Sequence, residues 1–315
     1  MDKKGFIKYI EGKGLAKATQ KQYLLVLQTF FNQVKKEDIQ VTKPDILKHL
    51  EYLKKRKGLQ NVTRQHHLIA LNHYFTFLYQ DEQITANPCL FLKIRGTRKR
   101  QLYKIYTPEE LDTLFDGYYQ LFVRGYDDSH CRHEGQKHYS ALYRGRNALI
   151  VSILFNQGII TTEIERIQLN DIDLVKAQIN IRGGLRCKDR TLPLKATQIG
   201  FFMHYLQNIR PQLLEYQTKD SEKLFLPLPA ISYKTTDNDM NRGIFKPLAE
   251  QIKTINKQFI NFQQVRASVI TFWVKSLGLR KAQHFAGHRY ITATEKYQIN
   301  NLDGLINDIN KLNPF

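Results

Sequence analysis

The chain has 315 residues, of which 42% are hydrophobic and 24% are charged, a composition typical of a folded protein and not of a disordered one. Lysine and arginine outnumber aspartate and glutamate by 48 to 29, which gives a formal net charge of +19. Such an excess predicts a polyanionic partner, foremost a nucleic acid, because no lipidation signal, basic amphipathic anchor or apolar span of about 20 residues points to a membrane.

Apolar residues recur at helical spacing through the first 80 positions and predict a small helical bundle. Residues 6–34 contain two helices separated by a pair of glycines. Thr42-Lys43-Pro44-Asp45 is typical of a helix start and opens a third helix, which Gly58 ends. Asn61 is the predicted N-cap of a fourth helix that reaches Tyr79.

A boundary follows this bundle. Asn87-Pro88 stops the helical pattern, and the basic, glycine-containing stretch Arg95–Arg100 comes next. We therefore predict an N-terminal domain at 1–94, a basic linker at 95–105 and a second domain at 106–315.

The second domain opens with Thr107-Pro108-Glu109-Glu110, a capping box with proline at the first helical position. This helix is predicted to run to about Tyr119. Residues 124–146 are polar and contain glycine, so we predict a surface insertion ahead of a helix at Ala148–Phe155.

A change of apolar period to two marks a β-hairpin. Residues 178–182 and 191–194 alternate as strands do, and Gly183-Gly184 supplies turn residues between them. We expect helix again from Phe201 onward. The sequence thus predicts a mainly α protein of two domains, the second with a small β-hairpin or sheet.

Two helices are predicted near the end of the chain. Phe262–Leu277 is the first, with Gly278 as its stop. The second is amphipathic and carries the apolar stripe Leu302, Leu305, Ile306, Ile309 and Leu312.

The first residues lack the apolar core of a secretory signal, so we expect a cytoplasmic protein. Three cysteines, odd in number and widely spaced, predict reduced thiols. The histidines and the cysteine between positions 130 and 138 do not have the spacing of a common structural zinc site, so we predict no metal.

The end of the chain resembles the tyrosine site-specific recombinase (phage integrase) family. Ala286–Tyr297 looks like the family's Leu-Gly-His, here ending at His288, followed nine positions later by the nucleophilic tyrosine, Tyr297. Upstream, Gln263-Gln264-Val265-Arg266-Ala267 occupies the place of the family's His-x-x-Arg-His box. Gln263 then stands where the family has histidine.

Two further boxes of the family are recognisable, each with a substitution. Gly158–Ile164, followed by Asp171-Ile172-Asp173, resembles the family's Gly-Leu-Arg-x-Ser-Glu-Leu and Asp-Ile-Asp pattern, but Ile160 replaces the arginine. Lys188–Leu194 matches the end of the catalytic-lysine hairpin, whereas the usual lysine position falls on Leu185.

The N-terminal domain also resembles the family, through Gly14–Thr19, Asn61–Arg64, Phe75–Leu78 and Asn87-Pro88. This implies a helical core-binding domain of the SAM-like type. The resemblance covers nearly the whole chain apart from the insertion at 124–146.

The resemblance implies a reaction in which the Tyr297 hydroxyl attacks a DNA phosphodiester and forms a 3′-phosphotyrosyl link. No metal or nucleotide cofactor is required. It also implies four protomers acting on two double-stranded DNA sites, with the last helix docking on a neighbouring protomer.

Each implied role needs a particular side chain. Arg266 presents a planar fork to two phosphate oxygens, and His288 is suited to donate to phosphate. Lys188 is the candidate general acid, while Gln263 can donate a hydrogen bond but cannot act as a base. Arginines that could refill the space at Ile160 are Arg144, Arg146 and Arg166.

Predicted DNA contacts come from the basic runs, the fourth helix and the second arm of the hairpin, on which period-two geometry would put Arg186, Lys188 and Arg190 on one face. These residues are Lys54, Lys55, Arg56, Lys57, Thr63, Arg64, His67, Arg98, Lys99, Arg100, Arg186 and Arg190.

Two functions remain open at this stage. One is an active recombinase or integrase of a mobile element, favoured by Tyr297, Arg266 and His288. The other is a non-catalytic DNA-binding partner of related recombinases, which the substitutions at Ile160, Leu185 and Gln263 favour.

Overall fold

The fold class predicted from the sequence is confirmed, because the chain is mainly helical and carries one small sheet. The computed structural model describes residues 1–96, 103–184, 187–217, 221–226 and 241–298. The chain forms two compact units, Met1–Gln101 and Leu102–Phe315.

The first unit is a helical bundle around an aromatic core. Its helices are α1 (Lys3–Gly12), α2 (Lys17–Val34), α3 (Lys43–Lys55) and α4 (Asn61–Gln80). Phe6, Phe30, Tyr74 and Phe75 are fully buried at its centre. The Tyr74 hydroxyl donates a hydrogen bond to the Asp38 carboxylate (2.6 Å), so the buried phenol has a polar partner.

The starts of α3 and α4 illustrate what capping residues can and cannot predict. Thr42 begins α3 as expected, since its backbone N–H and its hydroxyl both donate to the Asp45 carboxylate (3.0 and 2.8 Å). The predicted cap of α4 is wrong by one residue, because Asn61 is already helical. Its side chain instead donates to the Arg95 carbonyl and accepts from Arg64.

The second unit contains nine α-helices and three short strands within the described residues. Its helices are α5 (Pro108–Tyr119), α6 (Glu134–Gln157), α7 (Thr161–Ile164), α8 (Ala196–His204), α9 (Arg210–Glu215), α10 (Lys246–Ile255), α11 (Phe262–Leu277), α12 (Leu279–Ala286) and α13 (Ile291–Gln298). The capping box at Thr107 and Glu110 and the end of α5 at Tyr119 are as predicted.

The surface insertion predicted at 124–146 is wrong for most of its length. Residues from Glu134 onward belong to α6, and Ser140, Leu142 and Arg146 on this helix are buried. Two of these three buried residues are polar. The buried face of α6 therefore lacks the apolar periodicity from which a helix is predicted. His133, one of the histidines considered for zinc, caps the helix by accepting from the Gln136 N–H (3.1 Å).

The predicted hairpin is present and belongs to a three-stranded antiparallel sheet. The strands are β1 (Ile172–Asp173), β2 (Gln178–Ile181) and β3 (Arg190–Pro193), in that order across the sheet. Ile179 on β2 pairs with Leu192 on β3, and both side chains are buried. The two-residue strand β1 is too short to show a period.

The predicted bounds of the helices that follow the sheet agree with the structure to different degrees. α8 begins at Ala196, five residues before the predicted start at Phe201. α11 has the predicted bounds, and Gly278 after it has a φ of 79°, which an L side chain rarely adopts. The predicted final helix with its stripe at 302–312 lies outside the described residues. No helix among the described residues is long and apolar enough to cross a bilayer.

Candidate active site

Arg266 is a fixed cation near the middle of the second unit. It lies on α11 with 4% of its surface exposed. One guanidinium nitrogen donates to the Gly158 carbonyl (2.7 Å) and the other to the Ala286 carbonyl (2.8 Å). These two bonds join the end of α6 to the end of α12 and hold the guanidinium in one orientation.

Glu163 lies behind Arg266 and is shared between two arginines. Its carboxylate, which is 0% exposed, accepts two hydrogen bonds from Arg190 on β3 (2.7 and 3.0 Å). The distance from Glu163 to Arg266 is longer, 3.9 Å. Burial alone would raise the pKa of this carboxyl, but the hydrogen bonds and charge of Arg190 lower the pKa below its usual value.

His288 connects this buried group to the surface. Its Nε2 lies 3.3 Å from a guanidinium nitrogen of Arg266, which can only donate, so Nε2 is the acceptor. Nδ1 then carries the proton and donates to the Thr294 hydroxyl (2.9 Å). Burial, followed by the positive charges of Arg266 and Arg190, lowers the pKa of His288 to about 4.

Tyr297 completes the cluster. It is half-buried on α13, and its ring stacks on the His288 ring with centroids 5.9 Å apart and planes 13° from parallel. Thr294 is three residues earlier on the same helix face and is fully buried. One helix therefore carries the tyrosine and also the hydroxyl that orients His288.

The structure brings three of the five candidate catalytic side chains together and leaves two exposed. Tyr297, His288 and Arg266 form one contiguous cluster. Gln263 is exposed on α11, and its side chain makes no hydrogen bond with a described residue. Lys188 is exposed as well, but its backbone N–H donates to the Gly287 carbonyl (2.8 Å), beside His288.

The prediction that Arg190 faces DNA is wrong. Its side chain is 0% exposed, and its remaining Nε–H donates to the Phe285 carbonyl (2.7 Å). The reason is register: β3 starts at Arg190, and the inward positions of this strand are Arg190 and Leu192. Leu185 and Arg186 lie outside the described residues.

Among the described residues, the three arginines proposed to replace the one missing at Ile160 bind elsewhere in the fold and not at this cluster. Arg144 donates to the Ser140 hydroxyl and lies over the Tyr126 ring. Arg146 is fully buried and donates to the Leu226 carbonyl (2.8 Å). Arg166 is exposed and lies close to Gly184 in the hairpin turn.

The predicted DNA contacts of the first unit fall into two groups. Lys54, Lys55, Arg56 and Lys57 at the end of α3 are exposed, and so is Thr63. Arg64 and His67 are half-buried. Arg64 donates to Asn61 (2.6 Å) and His67 packs on the His49 ring (5.7 Å between centroids), so both also make contacts within the bundle. The basic residues 98–100 lie outside the described residues.

Sequence reasoning missed two members of the cluster. Glu163 lies within a recognised motif but was given no role. Its position three residues after Ile160, where a carboxylate can accept from the backbone N–H at the helix start, was the available signal. Thr294 could have been found from its position three residues before Tyr297. The inward orientation of Arg190 had no signal, since its basic neighbours suggested an exposed strand.

We predict that His288 is neutral at physiological pH and keeps its proton on Nδ1. Its folded pKa of about 4 lies below the unfolded value of about 6.5, so its contribution to stability is present above about pH 6.5 and is lost as pH falls toward 4. Nuclear magnetic resonance of the imidazole nitrogens in DNA-free protein, assigned with a His288→Asn variant, measures both properties. A midpoint near 6.5, or an Nε2–H tautomer, would contradict the geometry.

Comparison with known proteins finds recombinases and integrases. Residues 4–85 match the model of the phage integrase N-terminal SAM-like domain. The tyrosine recombinase XerC of Oceanobacillus iheyensis is 24% identical over 300 residues, covering 93% of this chain and 89% of that protein. The tyrosine recombinase XerA of Pyrococcus furiosus is 24% identical over 295 residues, covering 93% and 87%.

Solved structures share the fold at low sequence identity. The XerH site-specific recombinase bound to a palindromic difH substrate, in a post-cleavage complex, has a TM-score of 0.65 at 18% identity, with 96% of this chain and 82% of that chain covered. The Tn1549 transposon integrase in complex with circular intermediate DNA has a TM-score of 0.60 at 16% identity, with 94% of each chain covered. The chain is therefore similar to tyrosine recombinases over 93% of its length, and its N-terminal domain matches the phage integrase SAM-like model.

Proposed function

We propose that this chain is a site-specific DNA recombinase or integrase that cleaves and rejoins DNA through a 3′-phosphotyrosine intermediate at Tyr297. The observation that carries the proposal is the contiguous cluster of Tyr297, His288 and Arg266, in the register that the family uses. Similarity to tyrosine recombinases over 93% of the chain supports the same activity. The likeness to a transposon integrase favours a mobile element as the source.

The cluster supplies groups for the nucleophilic half of the reaction. The Tyr297 hydroxyl oxygen forms a bond to the scissile phosphorus as the bond to the 5′-oxygen breaks. Neutral His288 is the proposed proton acceptor for the hydroxyl once its Nε2 exchanges the long contact with Arg266 (3.3 Å) for the phenol, because Gln263 has no basic atom. Arg266 offers a fixed positive charge to the nonbridging oxygens of the transition state.

The leaving 5′-oxygen needs a proton, and Lys188 is the proposed donor. Its backbone is anchored at Gly287, and its neighbour Cys187 forms an isolated β-bridge with His288. The ammonium group is exposed, so it is available to DNA. In the reverse step a 5′-hydroxyl attacks the phosphotyrosine and Tyr297 recovers its proton, which balances the reaction without an external cofactor.

The partner is double-stranded DNA, and the assembly on two sites is a tetramer of this chain or of this chain with related recombinases. The net charge of +19 and the exposed Lys54–Lys57 run support DNA binding. The chain-end stripe at 302–312 is the proposed contact between protomers, as the family resemblance implies.

DNA affinity should fall steeply with salt. For about 6–10 phosphate contacts, counterion release predicts a loss of about 10³–10⁵ in affinity between about 50 and 200 mM salt. Fluorescence anisotropy on a labelled duplex measures this loss. Lys57→Gln should reduce the slope of log affinity against log salt by about one, whereas Lys176→Gln, outside the predicted contacts, should not change it. A flat titration would contradict the DNA interface.

The proposed activity is tested on the protein's own site. Selection from random duplexes identifies the bound sequence, and nicks placed near its centre give substrates from which the cleaved fragment diffuses away. We expect a covalent protein–DNA species that survives denaturation. If none forms on any nicked version of a verified site, the protein is a non-catalytic DNA-binding partner and the proposal is wrong.

A further inference from the structure

The buried carboxylate of Glu163 is bound unequally by its two arginines. Arg190 makes two short contacts with it, at 2.7 and 3.0 Å, while Arg266 remains at 3.9 Å. We propose that Arg190 is a positioning residue that neutralises Glu163 and so leaves the charge of Arg266 available for the scissile phosphate. This inference rests on the proposed function.

Hydrogen-bond partners decide which arginine can meet DNA, because both side chains are nearly fully buried, 0% exposed for Arg190 and 5% for Arg266. Arg190 is 0% exposed and each edge of its guanidinium is bonded within the protein, so it cannot contact a phosphate in this conformation. Arg266 borders His288, which stacks on the nucleophile. The two arginines and Glu163 together carry one net positive charge, and that charge faces the reacting groups.

Without Arg190 the same carboxylate would act against catalysis. Glu163 would be a buried anion 3.9 Å from Arg266 with no other guanidinium to bind it. Charges attract more strongly in a dry interior than in water, so Glu163 would draw Arg266 into an ion pair and cancel its charge. The site would then present a nearly neutral surface to a phosphate that gains charge in the transition state.

The substitution at Ile160 makes this function more important. The Ile160 backbone N–H donates to the same carboxylate (3.0 Å), but its side chain supplies no charge. A site that lacks one arginine depends more heavily on the charge that remains at Arg266.

Arg190 also helps to place His288. Its Nε–H donates to the Phe285 carbonyl, and Arg266 donates to the next carbonyl, at Ala286. Both carbonyls belong to the last turn of α12, directly before the Gly287 turn. A Cβ on Gly287 would lie 2.7 Å from Arg190, so glycine is required there for space as well as for its φ of 69°.

A set of three variants separates the electrostatic role from simple packing. Arg190→Gln removes the positive charge, Arg190→Gln combined with Glu163→Gln removes both charges, and Arg190→Lys keeps the charge. Single-turnover cleavage of the nicked site at saturating protein is measured for each. Lys195→Gln, which breaks an exposed ion pair with Asp112 in the same unit, is the matched control.

Arg190→Gln should lower the cleavage rate by about 10²–10³, the loss expected when an oxyanion donor, here Arg266, is neutralised. The double variant should return to within about tenfold of wild type because Arg266 is no longer neutralised, and Arg190→Lys and the control should do the same. A methylphosphonate at the scissile position carries less negative charge, so the penalty of Arg190→Gln should shrink on that substrate. A packing defect would impose the same penalty on both substrates.

The double variant keeps the test decisive even if Arg190→Gln fails to fold. A double variant with a wild-type unfolding midpoint that still loses more than about 100-fold overturns the proposal, as does a folded Arg190→Gln that loses nothing. If the wild-type protein itself does not cleave, the coupling is tested without DNA, by measuring the titration midpoint of His288. The titration midpoint of His288 should rise in Arg190→Gln and return in the double variant, and an unchanged midpoint in the single variant would overturn the electrostatic coupling.

Discussion

Tyr297→Phe is expected to abolish covalent linkage to DNA while the unfolding midpoint and the DNA affinity stay at wild-type values. The substitution removes only the hydroxyl, and the aromatic ring that stacks on His288 is retained. Since no other group of the cluster is proposed as the nucleophile, the loss should be complete rather than partial. Denaturing gels of the nicked-substrate reaction, anisotropy and thermal unfolding together measure the three properties.

Tyr290→Phe is the matched control. This tyrosine is 74% exposed and precedes α13, so it is close in sequence to Tyr297, whereas the ring stacked on His288 is that of Tyr297. It should link to DNA as wild type does. Residual linkage in Tyr297→Phe, or a loss in Tyr290→Phe of similar size, would contradict the assignment of the nucleophile.

Glu163→Ala is expected to destabilise the second unit by about 3–5 kcal/mol, because it leaves a fully buried arginine without its counter-charge. Arg190 would lose two charge-assisted hydrogen bonds, and Arg266 would lose a nearby anion. Urea unfolding followed by the fluorescence of Trp273, which belongs to this unit, measures the change.

An exposed ion pair provides the comparison. Asp112→Ala breaks the contact with Lys195 in the same unit, where both side chains are about half exposed, and should leave the unfolding midpoint unchanged. A loss below about 1 kcal/mol in Glu163→Ala would show that water or a rearranged side chain replaces the carboxylate, and that the buried pair is not a structural centre.

Local chemistry in the sequence predicted several elements well. Proline and capping residues located the starts of α3 and α5, and Gly278 located the end of α11, because these features depend on neighbours within a few positions. Alternation located the hairpin for the same reason. In each case the determining contacts are made by residues close in sequence.

Features that depend on distant contacts were not predictable in this way. The inward face of α6 includes Ser140 and Arg146, whose partners come from the rest of the fold, so its helical period is hidden. Arg190 looks exposed beside Lys188 until Glu163, 27 positions away, is seen to bind it. Register with a family motif identified Tyr297, His288 and Arg266, but it did not show that His288 accepts from Arg266 at Nε2.

Mapping the covalent linkage tests most directly whether Tyr297 attacks the scissile phosphate. The denatured complex from a nicked site is digested with protease and nuclease, and the modified peptide is sequenced by mass spectrometry. We expect a nucleotide joined through its 3′-phosphate to Tyr297. A linkage to another residue, a linkage through a 5′-phosphate, or no linkage on the protein's own verified site would contradict it.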